Sequence, residues 1–243
     1  MAFPVNDEIH LWVIDESSVD DVLLATYWSL LSADELQRHE RLRLEGDRRR
    51  FLVTRAAIRC VLSDYFPEVL PAQWQFGRNA WGRPTIAAPV PDSSIQFNIS
   101  HAQGLIVIAV TERGDLGVDV EYSGRRCRML ALANRYFSAR EVAALQSLSA
   151  SAQRERFFDL WTLKEAYIKA CGMGLAIPLR SFSFDFTKEG ISIAFAAERR
   201  DEPEAWQFWQ MQAAPQHRLA IALKSPGGLR QMKLVCRSPI PAP

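Results

Sequence analysis

Asp119 and Glu121 stand two residues apart in Gly117-Val118-Asp119-Val120-Glu121, and their spacing is the first sign of chemistry in the chain. Apolar and acidic residues alternate there, the pattern of a short strand whose side chains point to opposite faces in turn. Val118 and Val120 then face a core, and the two carboxylates project together from the other face. Carboxylates that close repel one another unless a cation or a proton lies between them. Paired hard oxygen ligands suit Mg²⁺, which takes one or two protein carboxylates and completes its shell with water and substrate phosphate. The plainer reading of G-V-D-V-E alone is a half-exposed edge strand with a solvated acidic face. A second stretch, Trp161-Thr162-Leu163-Lys164-Glu165-Ala166-Tyr167-Ile168-Lys169, shifts the balance. At helical spacing Trp161, Glu165 and Lys169 share one stripe. The glycines of Gly172-Met173-Gly174 follow, where backbone can turn tightly near a ligand. Glu165 and Lys169 alone could be an ordinary surface pair, worth about 0.2–0.5 kcal/mol. Joined to Asp119 and Glu121, Glu165 completes three carboxylates with a lysine beside them, which handles phosphate once a divalent metal sits among the acids.

The rest of the chain has to position these groups. Its 243 residues fit one large or two small domains, either able to bury a core. A net charge of +1 argues against bulk nucleic-acid binding. Cys60, Cys127, Cys171 and Cys236 show no C-x-x-C spacing and read as reduced thiols of a cytoplasmic protein. The N-terminus lacks the basic and apolar regions of a signal peptide, and no apolar run approaches the ~20 residues of a membrane span.

In chain order, residues 9–14 predict a buried strand, and Ser32-Ala33-Asp34-Glu35 a capping box opening a helix with Arg38, Arg41 and Arg43, which gives way near Gly46. A second helix is expected from about Asp47 to Tyr65, carrying Arg48, Arg49, Arg50, Arg55 and Arg59. Arginines on two adjacent helices are what an anion site between them needs, although charge runs are usually solvated faces. Residues 73–77 read as a strand, Gly82-Arg83-Pro84 as a turn, and residues 96–99 and 105–110 as a hairpin joined by a loop holding Ser100 and His101. The second half then restarts the first. Leu31-Ser32-Ala33-Asp34-Glu35-Leu36 returns as Phe137-Ser138-Ala139-Arg140-Glu141-Val142, Arg50-Phe51 returns as Arg156-Phe157, and each half closes on a hairpin. An internal duplication follows. The halves are expected at 1–114 and 115–237, facing across a cleft with cations from the first and carboxylates from the second, and 238–243 as a disordered tail.

Taken together, G-V-D-V-E (117–121), F-S-A-R-E-V (137–142) and W-T-L-K-E-A-Y-I-K (161–169) resemble the signature of the 4′-phosphopantetheinyl transferases. N-I-S-H (98–101) and G-R-P (82–84) place the likeness in the large, Sfp-type group that activates peptide and polyketide synthetases. It covers about residues 30 to 185, and the motifs are specific as a set although each alone is weak. The resemblance implies an α/β fold of two similar halves about a pseudo-twofold axis. It implies transfer of phosphopantetheine from coenzyme A to a carrier-protein serine, releasing adenosine 3′,5′-bisphosphate, with Mg²⁺ (Mn²⁺ able to substitute). By position Asp119, Glu121 and Glu165 become metal ligands, and Lys169 the pyrophosphate contact with Lys164 assisting. His101 with Ser100 takes the 3′-phosphate within the Asn98 motif. Gly82, Arg83 and Pro84 line the adenine pocket with Arg78 nearby, and Arg38 approaches a nucleotide phosphate. The chain departs from some relatives at Glu35, where they carry lysine; Arg50 or Arg55 is available to compensate.

Charge then sets the mechanism. A carrier serine attacks the β-phosphate, a metal and lysine stabilise the growing negative charge, and Glu165 is placed to take the serine proton, directly or through water. No cysteine has a recognisable activating histidine. Two rivals use the same features: a Mg²⁺-dependent phosphoesterase acting on coenzyme A-like nucleotides, and a non-catalytic binding protein, which would be expected to have lost Asp119, Glu165 or Lys169. Fatty-acid, polyketide, nonribosomal-peptide and siderophore carriers remain open as substrates, and a cytoplasmic monomer without nucleic-acid or membrane partners is expected. The basic segment Arg125-Arg126-Cys127-Arg128-Met129-Leu130 is the expected dock for an acidic carrier protein, with Met129 and Leu130 as apolar anchors.

Overall fold

Two serines open matching segments of the chain. The computed structural model describes residues 7–188, 190–225, 232–237 and 240–243. In it the Ser32 hydroxyl accepts from the Glu35 amide while the Glu35 carboxylate accepts from the Ser32 amide, and Ser138 and Glu141 repeat the exchange. Each exchange satisfies two of the donors a helix start leaves without partners. The halves then run in parallel. The first comprises β1 (Glu8–Asp15), α1 (Asp21–Trp28), α2 (Ala33–Arg41), α3 (Glu45–Tyr65), β2 (Gln75–Arg78), β3 (Pro84–Ala88), β4 (Gln96–Ala102) and β5 (Leu105–Thr111). The second comprises β6 (Asp115–Tyr122), α4 (Met129–Tyr136), α5 (Ala139–Gln146), α6 (Ala150–Ala170), β7 (Phe182–Thr187), β8 (Gly190–Phe195), β9 (Trp206–Ala214) and β10 (His217–Lys224).

The sheet order β1-β5-β4 in the first half returns as β6-β10-β9 in the second, and each half adds a separate two-stranded hairpin, β2-β3 or β7-β8. The mixed α/β class and the duplication are therefore as expected. One long helix covers each sheet: α3 buries Leu52, Val53, Ile58 and Leu62, and α6 buries Phe157, Leu160, Leu163 and Tyr167. Burying each such side chain contributes about 1.5–3 kcal/mol. The two sheets meet through a third apolar cluster, in which Ile9, Leu11 and Val107 pack with Val118, Val120 and Ile221.

The capping glutamates have a second task that sequence spacing conceals. Glu35 also grips Arg55 and Arg59 on α3, at 2.5 and 2.7 Å, and Glu141 grips Lys164 on α6 at 2.9 Å. Each long helix is thus tied to the shorter helix before it through one carboxylate, half-buried at Glu35 and buried at Glu141.

Four expectations change. Gly46 lies inside the first turn of α3 rather than at a break. His101 sits on β4, paired with Ile106, because the strand continues to Ala102 and the turn is only Gln103-Gly104. A last strand, β11 (Lys233–Arg237), crosses back and pairs parallel with β1, so the end of the stretch assigned to the second half completes the first sheet. Of the tail, Ser238 and Pro239 lie outside the described residues. Ile240 packs on the first core, and the Tyr27 hydroxyl donates to the Pro241 carbonyl. Among the described residues no helix is long and apolar enough to cross a membrane.

Candidate active site

Gly117 sets how close the carboxylate strand comes to α6. A Cβ there would fall 2.0 Å from the Ala166 carbonyl oxygen, so only glycine lets β6 lie directly on that helix. With the backbones this near, the polar face of β6 reaches the stripe formed by Trp161, Glu165 and Lys169. Asp119 Oδ1 accepts from Lys169 Nζ at 2.7 Å and from Ser100 Oγ at 3.0 Å. Glu121 accepts from the Trp161 indole at 3.0 Å and lies 3.4 Å from Arg125. Val118 and Val120 are buried in the inter-sheet core, as the alternation requires.

The electrostatics are those of anions packed without enough cation. Burial, then the neighbouring Asp119 charge and that of Glu121, push the Glu165 carboxyl up to about 7, with only Lys169 opposing. Burial raises Asp119 and Glu121 as well. Asp119 is 5% exposed, and its Oδ2 is buried with no hydrogen-bond partner among the described residues. As they stand, no three acidic or metal-ligating side chains converge into a ready cage among the described residues. The reason is visible: Lys169 occupies Asp119 Oδ1, and Trp161 and Arg125 hold Glu121.

The first half supplies the other wall. Gly82, Arg83 and Pro84, with Asn98, Lys169 and Gly172, line one cavity of about 210 Å³. Arg83 donates to the carbonyls of Ala170 and Leu116 at 2.8 and 3.1 Å, and Asn79 donates to the Gly172 carbonyl, so the β2–β3 turn is stapled to the end of α6. Asn79 carried no motif in the sequence, and its role comes only from that cross-half contact. Arg78 is exposed and donates to the Gly82 carbonyl beside this cavity. A larger hollow of about 340 Å³ near Glu155 and Asp159 contains none of these residues, and its cation Arg218 is matched by Asp159 at 2.5 Å.

Other expected residues take different places. Lys164, expected to assist at the pyrophosphate, is fully buried and bonded to Glu141 and to the carbonyls of Leu179 and Phe182. It lies one position off the Glu165 stripe, which turns it about 100° around the helix and into the second core. Asn98 and Ser100, expected at the nucleotide, accept from the amides of Val118 and Val120 at 2.9 and 3.2 Å, and Asn98 also lines the cavity beside Gly82. His101 is exposed; loss of hydration, then the charges of Arg50 and Lys169, hold its imidazole below its ordinary pKa. Arg38 is exposed on α2 over the Phe51 ring. Arg50 pairs with Glu16 and Asp47, and Arg55 with Glu35, so neither is a spare cation. Thr54, one turn beyond Arg50, was not anticipated: its hydroxyl is buried and without a partner among the described residues.

Duplicated α/β halves that gather three carboxylates and a lysine at their junction, with Lys169 also lining the cavity, are the arrangement expected of an enzyme that handles phosphate. The particular family follows from comparison with known proteins. Residues 115–223 match the family model of the 4′-phosphopantetheinyl transferase superfamily, and residues 18–113 match that of the 4′-phosphopantetheinyl transferase N-terminal region. The 4′-phosphopantetheinyl transferase HetI of Nostoc sp. is 39% identical over 176 residues, covering 71% of this chain and 72% of its own. A 4′-phosphopantetheinyl transferase of Bacillus subtilis is 32% identical, covering 81% of this chain and 83% of its own. A solved holo-(acyl-carrier-protein) synthase from Bacillus anthracis, in complex with CoA (3′,5′-ADP), is 19% identical with a TM-score of 0.39, covering 46% of this chain and 97% of its own. The chain belongs to the 4′-phosphopantetheinyl transferase superfamily, and its activity is that of a 4′-phosphopantetheinyl transferase. The comparisons give the phosphoesterase alternative no support.

Proposed function

We propose that the junction of the two halves moves the 4′-phosphopantetheine group of coenzyme A onto a serine of an apo carrier protein, with Asp119, Glu121 and Glu165 holding Mg²⁺. Asp119 carries this assignment. Its Oδ2 is buried and unpartnered beside two further carboxylates, a set whose mutual repulsion and hard oxygens suit a small divalent cation. When bound, Mg²⁺ would neutralise the pyrophosphate and stabilise charge on the leaving oxygen, and Mn²⁺ suits the same oxygens.

The chain's own groups do the rest. The cavity beside Gly82, Arg83 and Pro84 receives the adenosine end. His101 and Arg38, both exposed, are the groups available to the 3′-phosphate. Lys169 exchanges its bond to Asp119 for the pyrophosphate. Glu165 is the group placed to take the serine proton, directly or through water. The serine oxygen bonds to the β-phosphorus, the bond to the bridging oxygen breaks, and adenosine 3′,5′-bisphosphate departs.

The carrier protein approaches across the segment after β6. Arg126, Arg128 and Leu130 are exposed there, a rim complementary to an acidic partner. Met129 is half-buried against the second core, which leaves Leu130 as the more exposed apolar group. Both walls of the site come from one chain, which supports a monomer, and four free cysteines suit a reducing cytoplasm. The test is intact mass of candidate apo-carrier proteins incubated with coenzyme A and Mg²⁺. The native protein should add one phosphopantetheine, and folded Asp119→Ala should add none; normal turnover by that variant would remove the metal assignment.

A further inference from the structure

The hydroxyl of Ser100 sits where the two halves and the reacting groups meet. It is 6% exposed and has three neighbours. It donates to Asp119 Oδ1 at 3.0 Å and accepts from Lys169 Nζ at 3.0 Å and from the Val120 amide at 3.2 Å. A hydroxyl has one donor and two acceptor sites, so these three bonds use its full capacity and leave none for a phosphate oxygen. β6 is the edge of its sheet, and the amides of Val118 and Val120 point toward β4. An unpaired edge amide is costly to bury. Asn98 and Ser100 satisfy the two with side chains in place of a backbone ladder.

We infer that Ser100 is a positioning residue: it locks the first half against β6 and thereby orients the Asp119 carboxylate and the Lys169 ammonium for transfer. The inference rests on the metal-and-lysine reading of the site proposed above. Without the hydroxyl, Asp119 Oδ1 loses a neutral donor and, among the described residues, pairs with Lys169 alone. The ammonium in turn keeps Asp119 and the Val118 carbonyl among the described residues. Both groups then gain freedom at the place where positioning sets the rate. A phosphate contact would behave differently, since its loss weakens coenzyme A binding.

Three variants of the full chain, Ser100→Ala, Ser100→Thr and Asp119→Asn, separate these readings. Ser100→Ala should lower kcat by about ten- to a hundred-fold, the range of one lost hydrogen bond to a charged group, with KM for coenzyme A moving less than about twofold. Its affinity for Mn²⁺, titrated by electron paramagnetic resonance on the protein alone, should also fall. Ser100→Thr keeps the hydroxyl and should recover most of both losses. A raised KM for coenzyme A with unchanged kcat would overturn the inference in favour of a phosphate contact. A kcat loss that threonine leaves uncorrected, alongside a matching loss of thermal stability, would reduce Ser100 to packing. Asp119→Asn tests the underlying site separately. An active Asp119→Asn sinks the metal reading itself, whereas an inactive one beside a normal Ser100→Ala sinks only the role given to Ser100.

Discussion

Replacing Glu165 by Gln should make the metal-free protein more stable at alkaline pH while abolishing transfer. Burial and two neighbouring carboxylates raise the Glu165 carboxyl from 4.5 to about 7. The folded protein therefore holds a proton that the unfolded chain has already released, and stability is lost as pH rises from the first value through the second. That gap of about 2.5 pH units, at about 1.4 kcal/mol each, sets an upper limit of about 3.5 kcal/mol. Glu165 keeps partial contact with water, which brings the expected gain down to about 1–3 kcal/mol. Glutamine matches the protonated acid in shape and never takes the charge, so the variant escapes the penalty. In EDTA at pH 8 its melting temperature should exceed that of the native protein by about 2–10 °C, and the difference should vanish below about pH 5. Scanning calorimetry across this range provides the test. Equal melting temperatures at pH 8 would mean the carboxyl is not crowded by Asp119 and Glu121. Added Mg²⁺ should stabilise the native protein at pH 8 and leave the variant nearly unmoved.

His101→Ala should weaken coenzyme A by about ten- to a hundred-fold, the worth of one charge-assisted hydrogen bond, and 3′-dephospho-coenzyme A hardly at all by calorimetric titration. Equal losses would detach His101 from the 3′-phosphate. Arg126→Glu with Arg128→Glu should raise KM for the carrier protein steeply at low salt, where attraction is least screened, and spare KM for coenzyme A. An unmoved carrier KM would place docking elsewhere. Lys164→Ala should destabilise the fold by about 3–5 kcal/mol by stranding buried Glu141, seen as a lower denaturation midpoint. An unchanged KM for coenzyme A in the folded fraction would separate it from Lys169.

Features written at short range were legible in the sequence. The capping boxes, the alternation of β6 and the repeated order of elements each follow from local spacing, and together they predicted a duplicated α/β chain with a carboxylate strand beside a lysine helix. What stayed hidden depends on crossings. Lys164 and Lys169 both sit in an apolar helix buried on most sides, and spacing alone does not say which ammonium meets Asp119 and which meets Glu141. Ser100 looked like an anion ligand because it precedes a histidine, yet its partners stand on β6 and α6, 19 to 69 positions away. The pairing of β11 with β1 joins the two ends of the chain, more than two hundred residues apart, and no local pattern announces it.

The repeated sheet order also shows what became of the mirror image of this site. Matching strand registers put Trp12 and Ile14 where the second half has Asp119 and Glu121. They likewise put Trp209 and Met211 where the first half has Asn98 and Ser100. These four polar positions of the working site are thus apolar in their counterparts, and Trp12 and Ile14 are 3% and 2% exposed. A symmetrical ancestor would have carried two equivalent sites and been bound to keep both copies of each residue. Once the copies were fused, each could change alone. One set of positions carries the chemistry, and its apolar counterpart supplies packing to the core. The chain should accordingly fill with one coenzyme A, and drift at Trp12 or Met211 should register in its melting temperature before its turnover.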